Sequence, residues 1–163
     1  MAKVIFKLEN DISTDIIYPG RYMATVLPTE TPQYAFADII ELNDKLSNKI
    51  PGESIAIVCG MNFGCGSSRE QAVSALKGHE LIVVAKSISR IFLQNGINLG
   101  LKMIICPGIS ADQDDELEIQ SYKVINKTKN MEFDIEPLPQ SKQTVIDAGG
   151  LIEYTRNRLN KSE

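Results

Sequence analysis

Asn62-Phe63-Gly64-Cys65-Gly66-Ser67-Ser68-Arg69-Glu70 stands between two kinds of sequence. Upstream, Ser54-Ile55-Ala56-Ile57-Val58-Cys59-Gly60 is a short apolar run of the kind that forms a buried strand. Downstream, Gln71-Ala72-Val73-Ser74-Ala75-Leu76-Lys77 is helix-forming. Strand, glycine turn and helix together predict a unit of a parallel α/β sheet. Gly64 and Gly66 allow backbone angles that other residues avoid and let a ligand come close. Ser67 or Ser68 is expected to cap the helix, with Glu70 in its first turn where the dipole favours an anion. The free N–H groups of the turn, with the planar fork of Arg69, suit a carboxylate or phosphate. A glycine turn with a serine cap is also a common structural device, so these residues alone leave an anion site and a plain cap both open. The turn is not a Walker phosphate loop, because no Gly-Lys-Ser/Thr follows, nor is it Gly-x-Gly-x-x-Gly.

Outward from the turn the alternation continues. Leu81–Ala85 and Leu101–Cys106 read as strands, with a helical spacing at Ile88, Ile91 and Phe92 between them. His79 follows Gly78 at a helix end and is expected to serve as a C-terminal cap or surface residue. Before the turn, residues 3–8 read as a strand, and Glu9–Gly20 is dense in turn formers. Asp11 and Asp15 lack the glycine and distal glutamate of a calcium loop. Thr31-Pro32 opens like a helix with Thr31 as cap, and Asp44–Gly52 reads as a polar connector. After Asp112 come short strands around Leu117–Ile119, Lys123–Ile125 and Met131–Ile135, then a closing helix over 151–159 behind Gly149-Gly150. No repeat, low-complexity segment or boundary interrupts the pattern, so residues 1–163 are expected to form a single domain.

The 163 residues carry a net charge of −4, which disfavours nucleic acid or an anionic membrane as the main partner. No apolar run approaches membrane-span length, and the N-terminus lacks the layout of a signal peptide, so a cytoplasmic protein is expected. Three cysteines without C-x-x-C spacing argue against a disulfide framework, and with one histidine a self-contained metal site is not expected. Cys59 and Cys106, in apolar runs, read as packed thiols.

Three motifs in register go beyond local physics. They are Asp11-Ile12-Ser13-Thr14-Asp15-Ile16-Ile17, the turn at 62–70, and Ala85-Lys86-Ser87-Ile88-Ser89-Arg90-Ile91-Phe92 with Asn95-Gly96-Ile97-Asn98-Leu99-Gly100-Leu101. In this order and spacing, over nearly its whole length, the chain resembles the small subunit of 3-isopropylmalate dehydratase, the counterpart of the swivelling C-terminal domain of aconitase. The resemblance implies an α/β fold: a swivelling β/β/α domain with a mainly parallel central sheet and a small β appendage. It also implies a hydro-lyase of leucine biosynthesis that moves a hydroxyl between adjacent carbons of a 2-hydroxy acid. A [4Fe–4S] cluster is then expected on a partner large subunit, with no cofactor or metal in this chain.

On that resemblance Ser67 matches the serine that removes the proton next to a carboxylate, and Ser68 and Arg69 match the pair that binds substrate carboxylate. Asp15, within Ser13-Thr14-Asp15, matches an aspartate that orients the serine–arginine turn, with Thr14 beside it in support; a turn cap is the alternative for Asp15. Asn62, Lys86, Ser87 and Arg90 are given supporting roles only, with a structural ion pair expected for Arg90. Relatives that accept an additional carboxylate resemble Tyr-Leu-Arg-Thr in the loop after the first motif, where this chain has Tyr22-Met23-Ala24-Thr25. Ala24 removes the cation, and Met23, Ala24 and Val26 suit a branched alkyl group. That favours isopropylmalate over homocitrate or citrate, with Arg21 open as a cation reaching in from the side, and a dimethylmalate-type hydratase also open. A non-catalytic anion-binding or regulatory module is the alternative of another class; the intact Asp15, Ser67, Ser68 and Arg69 argue against it.

Overall fold

The computed structural model describes residues 1–160. Seven strands, β1 (Ala2–Leu8), β2 (Ile55–Cys59), β3 (Ile82–Ala85), β4 (Met103–Ile105), β5 (Glu116–Ile119), β6 (Lys123–Asn126) and β7 (Met131–Asp134), form one sheet in the order β4-β3-β2-β1-β5-β6-β7. The strands β1 to β4 pair in parallel, and β5 to β7 continue the sheet antiparallel from the far edge of β1 through Ala2↔Leu117. The segment after β7 then comes back to β4, where the Glu136 N–H donates to the Ile105 carbonyl at 2.8 Å.

The sheet therefore curls on itself and its parallel half is covered on both faces. Every residue of β2 and β3 is buried, as the unbroken apolar runs predict. Their alternation sends Ile55, Ile57, Cys59, Val83 and Ala85 towards the helices, and Ala56, Val58, Ile82 and Val84 towards Leu117 and Val124 of the antiparallel strands. The outcome is a helix layer, a parallel layer and an antiparallel layer, so the expected small β appendage is continuous with the central sheet. The helices are α1 (Thr14–Ile17), α2 (Ile40–Ser47), α3 (Glu70–Gly78), α4 (Arg90–Leu99), α5 (Gln140–Asp147) and α6 (Leu151–Asn160). Among the described residues no helix is long and apolar enough to cross a membrane.

Three local expectations differ from the structure, and one helix, α5, was not anticipated. Residues Thr31–Tyr34 make only a 3-10 turn with Glu30 at its N-cap, and Thr31 instead turns its buried hydroxyl to Ser74 Oγ at 2.9 Å. The supposed connector from Asp44 begins inside α2, which a pair of buried leucines, Leu42 and Leu46, fixes to the core. Helix α5 was hidden by Pro137, Pro139 and a polar composition. The N-cap of α3 is Arg69, and neither Ser67 nor Ser68 caps the helix. His79 does occupy the C-cap position of α3. Its Nε2 lies 2.8 Å from the Pro32 carbonyl, so that nitrogen carries the donating proton, and burial holds its pKa below the ordinary 6.5.

Candidate active site at the strand ends

The loops that leave the C-terminal ends of β1, β2 and β3 carry the three motifs, and the structure stitches them together. The Gly64 N–H donates to the Ile12 carbonyl at 2.7 Å and the Thr14 N–H to the Cys65 carbonyl at 2.8 Å. On the other side the Phe63 N–H donates to Ser87 O at 3.0 Å and the Ser89 N–H to Phe63 O at 2.8 Å. The middle motif thus lies between the other two, joined to them by the isolated parallel bridges Ser13↔Cys65 and Phe63↔Ile88. The carboxyl edge of a parallel sheet is where such folds bind ligands.

Gly64 and Gly66 both take positive φ, +77° and +92°. At Gly64 close packing adds to the demand, since a Cβ there would lie 2.2 Å from Cγ of Phe92. The turn leaves Ser67 and Ser68 exposed ahead of α3. Ser67 Oγ has no hydrogen-bond partner among the described residues, while its carbonyl accepts from Thr14 Oγ1 at 2.8 Å. Ser68 Oγ accepts from Nδ2 of Asn95 on α4 at 3.1 Å. The Arg69 side chain is 15% exposed and folds back under the turn, with Nη1 2.5 Å from Asp15 Oδ1 and donating to the Tyr18 carbonyl at 3.0 Å. Asp15 sits in the first turn of α1, capped by Ser13, with its carboxylate against the guanidinium. Among the described residues the ion pair and the hydrogen bond of the guanidinium both run through Nη1.

The loop after α1 lies beside this turn. Gln71 Nε2 donates to the Met23 carbonyl at 3.4 Å, and Tyr18 Oη shares its proton between the carbonyls of Tyr22 and Thr25 at 3.2 and 3.4 Å. The Tyr22 ring stacks on Tyr34 with centroids 4.1 Å apart. Ala24, Val26 and Leu27 are left exposed. Arg21 is turned away: its Nη1 and Nη2 grip Asp38 at 3.0 and 2.5 Å, and its guanidinium lies over Tyr22. It does not reach in from the side, because the bidentate partner on its own surface holds it.

The segment from 10 to 106, which spans all three motifs, matches the family model described as the aconitase C-terminal domain. Over 160 residues the chain is 40% identical to a 3-isopropylmalate dehydratase small subunit of Caldicellulosiruptor saccharolyticus, covering 95% of this chain and 90% of that one. It is 39% identical to the small subunit of Methanosarcina acetivorans, covering 96% of each. This chain belongs to the family of 3-isopropylmalate dehydratase small subunits. A crystal structure of a 3-isopropylmalate dehydratase from Methanocaldococcus jannaschii is 36% identical and superposes with a TM-score of 0.85, over 99% of this chain and 96% of that one.

The family's lyase chemistry sets a test for the thiols. Cys59 and Cys106 are buried and Cys65 is half-buried, all three free. Burial pushes the Cys59 thiol up, and burial beside Asp134 pushes Cys106 up to about 11. Neither favours the thiolate that iron requires, and no three His, Cys, Asp or Glu residues among those described come together as a metal site. These residues do not fit an iron–sulfur cluster. A cleft of about 780 Å³ lies elsewhere, beneath Ile104, Tyr122 and Ile146.

Several contacts in this small-subunit site escape sequence reasoning. Asn62 and Asp11 both take left-handed angles, φ 60° and 56°, and Asn62 Nδ2 donates to Asp11 Oδ1 at 2.7 Å. The Asn62 N–H also donates to Ser87 Oγ at 2.8 Å, which ties the second motif to the third. Ser89 Oγ donates to the Gly64 carbonyl at 2.6 Å. Arg90 makes no ion pair among the described residues; it opens α4 as an exposed cation, and so does not play the structural part expected of it. Asn95 stood in the third motif with no role attached, and nothing in its spacing pointed to Ser68.

Proposed function

We propose that this chain is the small subunit of a hydro-lyase that interconverts 2-isopropylmalate and 3-isopropylmalate in leucine biosynthesis, and that it acts only against a cluster-bearing large subunit. The observation that carries the reading is the turn itself: two exposed serines and an arginine anchored on Asp15 at the carboxyl edge of the sheet. The relatives' names supply the reaction.

In this reading Ser67 Oγ takes the proton from the carbon next to a carboxylate. The C–H electron pair becomes the new C=C bond and the hydroxyl leaves the adjacent carbon as hydroxide with the C–O electron pair, so that hydroxide and the proton on Ser67 together make up one water; their return with the opposite orientation gives the isomer. A free serine hydroxyl is too weak a base. The uncapped N-terminus of α3 and the Arg69 guanidinium supply positive potential that favours the alkoxide. Ser68 and the free face of Arg69 hold the carboxylate. The departing hydroxyl needs a Lewis acid, which a [4Fe–4S] cluster on the large subunit would supply.

Exposed apolar side chains surround the motif loops, with Met61 57%, Ile91 54%, Val26 64% and Leu27 53% accessible, and they suit burial against that partner. The 22–27 loop supports isopropylmalate over a tricarboxylate, since Ala24 offers no cation and Arg21 is committed to Asp38. The three free thiols suit a cytoplasmic setting, and the sheet that runs unbroken from Ala2 to Asp134 suits one swivelling domain over 1–163.

The test is co-expression with the large subunit. Capture on this chain should bring down a brown, iron-containing partner, and the complex should turn over isopropylmalate while this chain alone does not. A captured partner without a cluster, or a complex inert to isopropylmalate, would overturn the reading.

A further inference from the structure

We propose that Asn95 is a positioning residue for the reaction: it fixes the direction of the Ser68 hydroxyl so that its proton points out towards the substrate carboxylate. The inference deepens the reading above and rests on Ser68 being a carboxylate ligand.

The argument is one of donors and acceptors. A serine hydroxyl has one proton and two lone pairs, whereas an amide nitrogen only donates. Nδ2 of Asn95 lies 3.1 Å from Ser68 Oγ, so it is Ser68 that accepts, and one lone pair is consumed. The hydroxyl proton is left unclaimed among the described residues. Ser68 is thereby set as a donor before an anion arrives, and a carboxylate accepts only. Ser67 Oγ has no such partner and keeps both lone pairs open, as a proton acceptor requires.

Asn95 is well placed to hold this geometry. It follows Phe92 by three residues on α4, on the same helix face. Phe92 is 2% exposed, meets Phe63 edge-to-face with centroids 5.3 Å apart, and touches Gly64 in the turn. Ser89, the N-cap of α4, donates its hydroxyl to the Gly64 carbonyl. The helix therefore grips the start of the turn through Ser89 and Phe92 and its end through Asn95, so the distance to Ser68 is set by packing rather than by a mobile side chain.

The experiment uses the assembled complex and a double-mutant cycle of Asn95→Ala and Ser68→Ala, with Asn95→Asp as a third variant. Asn95→Ala should raise KM for isopropylmalate about three- to tenfold, the range of one neutral hydrogen bond, with a smaller change in kcat. In the Ser68→Ala background it should change KM by less than about twofold, since the group it acts through is gone. Asn95→Asp should be the worst variant, because its carboxylate claims the Ser68 proton and repels the substrate. Additive effects of Asn95→Ala and Ser68→Ala, or an Asn95→Asp complex as active as wild type, would overturn the proposal. A readout independent of turnover is the Asn95 side-chain amide in the ¹⁵N spectrum of the full chain. It should move on Ser68→Ala; an unmoved signal refutes the hydrogen bond. A wild-type complex inert to isopropylmalate would sink the functional reading alone, because the amide signal still decides whether Asn95 holds Ser68.

Discussion

Gly64 and Gly66 lie two residues apart in the same turn, yet replacing each by alanine should have different consequences. Both have positive φ, so each substitution incurs the left-handed strain of an L-residue, about 1–2 kcal/mol. At Gly66 little else changes, because a Cβ would meet Thr14 Oγ1 at 3.6 Å and Ser13 Cβ at 3.8 Å, both ordinary contacts. At Gly64 the Cβ would meet Phe92 Cγ at 2.2 Å and Phe92 Cβ at 2.5 Å. Carbon atoms in contact need about 3.5 Å, so the ring must withdraw by more than an ångström. It has nowhere to go, being packed against the fully buried Phe63. Overpacking of this kind costs about 1–3 kcal/mol more. For a chain of this size each kcal/mol moves the melting midpoint by about 2–4 °C, so Gly64→Ala should lower it by about 10 °C and Gly66→Ala by about 4 °C. Circular dichroism melts of the two variants and wild type measure this directly. Adding Phe92→Ala to Gly64→Ala should cost less than the two changes summed, because Cγ and the ring that clash are gone. Equal melting points for Gly64→Ala and Gly66→Ala, or strict additivity of Gly64→Ala with Phe92→Ala, would refute the packing argument.

Ser67→Ala should leave assembly with the large subunit intact and lower kcat by several orders of magnitude, whereas Ser68→Ala should act mainly on KM; steady-state kinetics on both complexes would show whether the two roles are reversed. Asp15→Asn removes the partner of Arg69 Nη1, an ion pair whose acid is 58% exposed, so the chain should melt within a few degrees of wild type while kcat/KM falls at least about tenfold as the guanidinium loses its place; an unchanged kcat/KM would make the pair merely structural. Ala24→Arg should shift the kcat/KM ratio towards homocitrate-like or citrate-like substrates by about one to two orders of magnitude, and an unmoved ratio would show that Ala24 is not the selector. His79 has a folded pKa below its ordinary 6.5 because burial disfavours the imidazolium, so the unfolded chain binds more protons just below that pH. The stability His79 contributes is present above pH 6.5 and is lost as pH falls below it towards the folded pKa; denaturant melts across that window should show the loss for wild type and a flatter profile for His79→Gln.

What the sequence disclosed depended on whether the physics was local. The runs 55–59 and 82–85 are apolar at both parities, which only a strand covered on two faces demands, and both faces are covered. The final helix was readable from the local break at Gly149-Gly150, although none of its residues is buried. Helices α2 and α5 were not, because each is secured by one or two apolar residues, Leu42 and Leu46 in one and Ile146 in the other, against a polar background. In the site, the residue types at 67, 68 and 69 left an anion turn and a plain cap both open, and the roles expected at 15, 67, 68 and 69 came from the family resemblance. The contacts that arm them were legible in neither: Thr14 to Ser67 spans 53 residues, Arg69 to Tyr18 spans 51, and Asn95 to Ser68 spans 27. Such partnerships exist only once β1, β2 and β3 lie side by side.

The failed expectation about the cap explains why the serines are available at all. A serine at the N-cap turns its oxygen inward to a backbone N–H of the first turn. Had Ser67 or Ser68 taken that position, its hydroxyl would be spent on holding α3. The structure gives the N-cap to Arg69, whose side chain makes no capping bond and is drawn away by Asp15 and the Tyr18 carbonyl. Helix α3 forgoes a side-chain cap, a loss of about 1 kcal/mol, and is held instead by its buried face of Ala72, Val73, Ala75 and Leu76. In exchange the Glu70 and Gln71 N–H groups have no hydrogen-bond partner among the described residues, while the Ala72 N–H donates to the Arg69 carbonyl at 3.2 Å, and both hydroxyls stay outside the helix. Restoring a cap is therefore a route to a more stable and less active protein: Arg69→Asp should strengthen the helix terminus while removing the guanidinium and placing a negative charge where the carboxylate must bind. Melting and kinetics of that variant should move in opposite directions, and a variant that lost both would show that Arg69, through Asp15 and Tyr18, does more for the fold than the cap would.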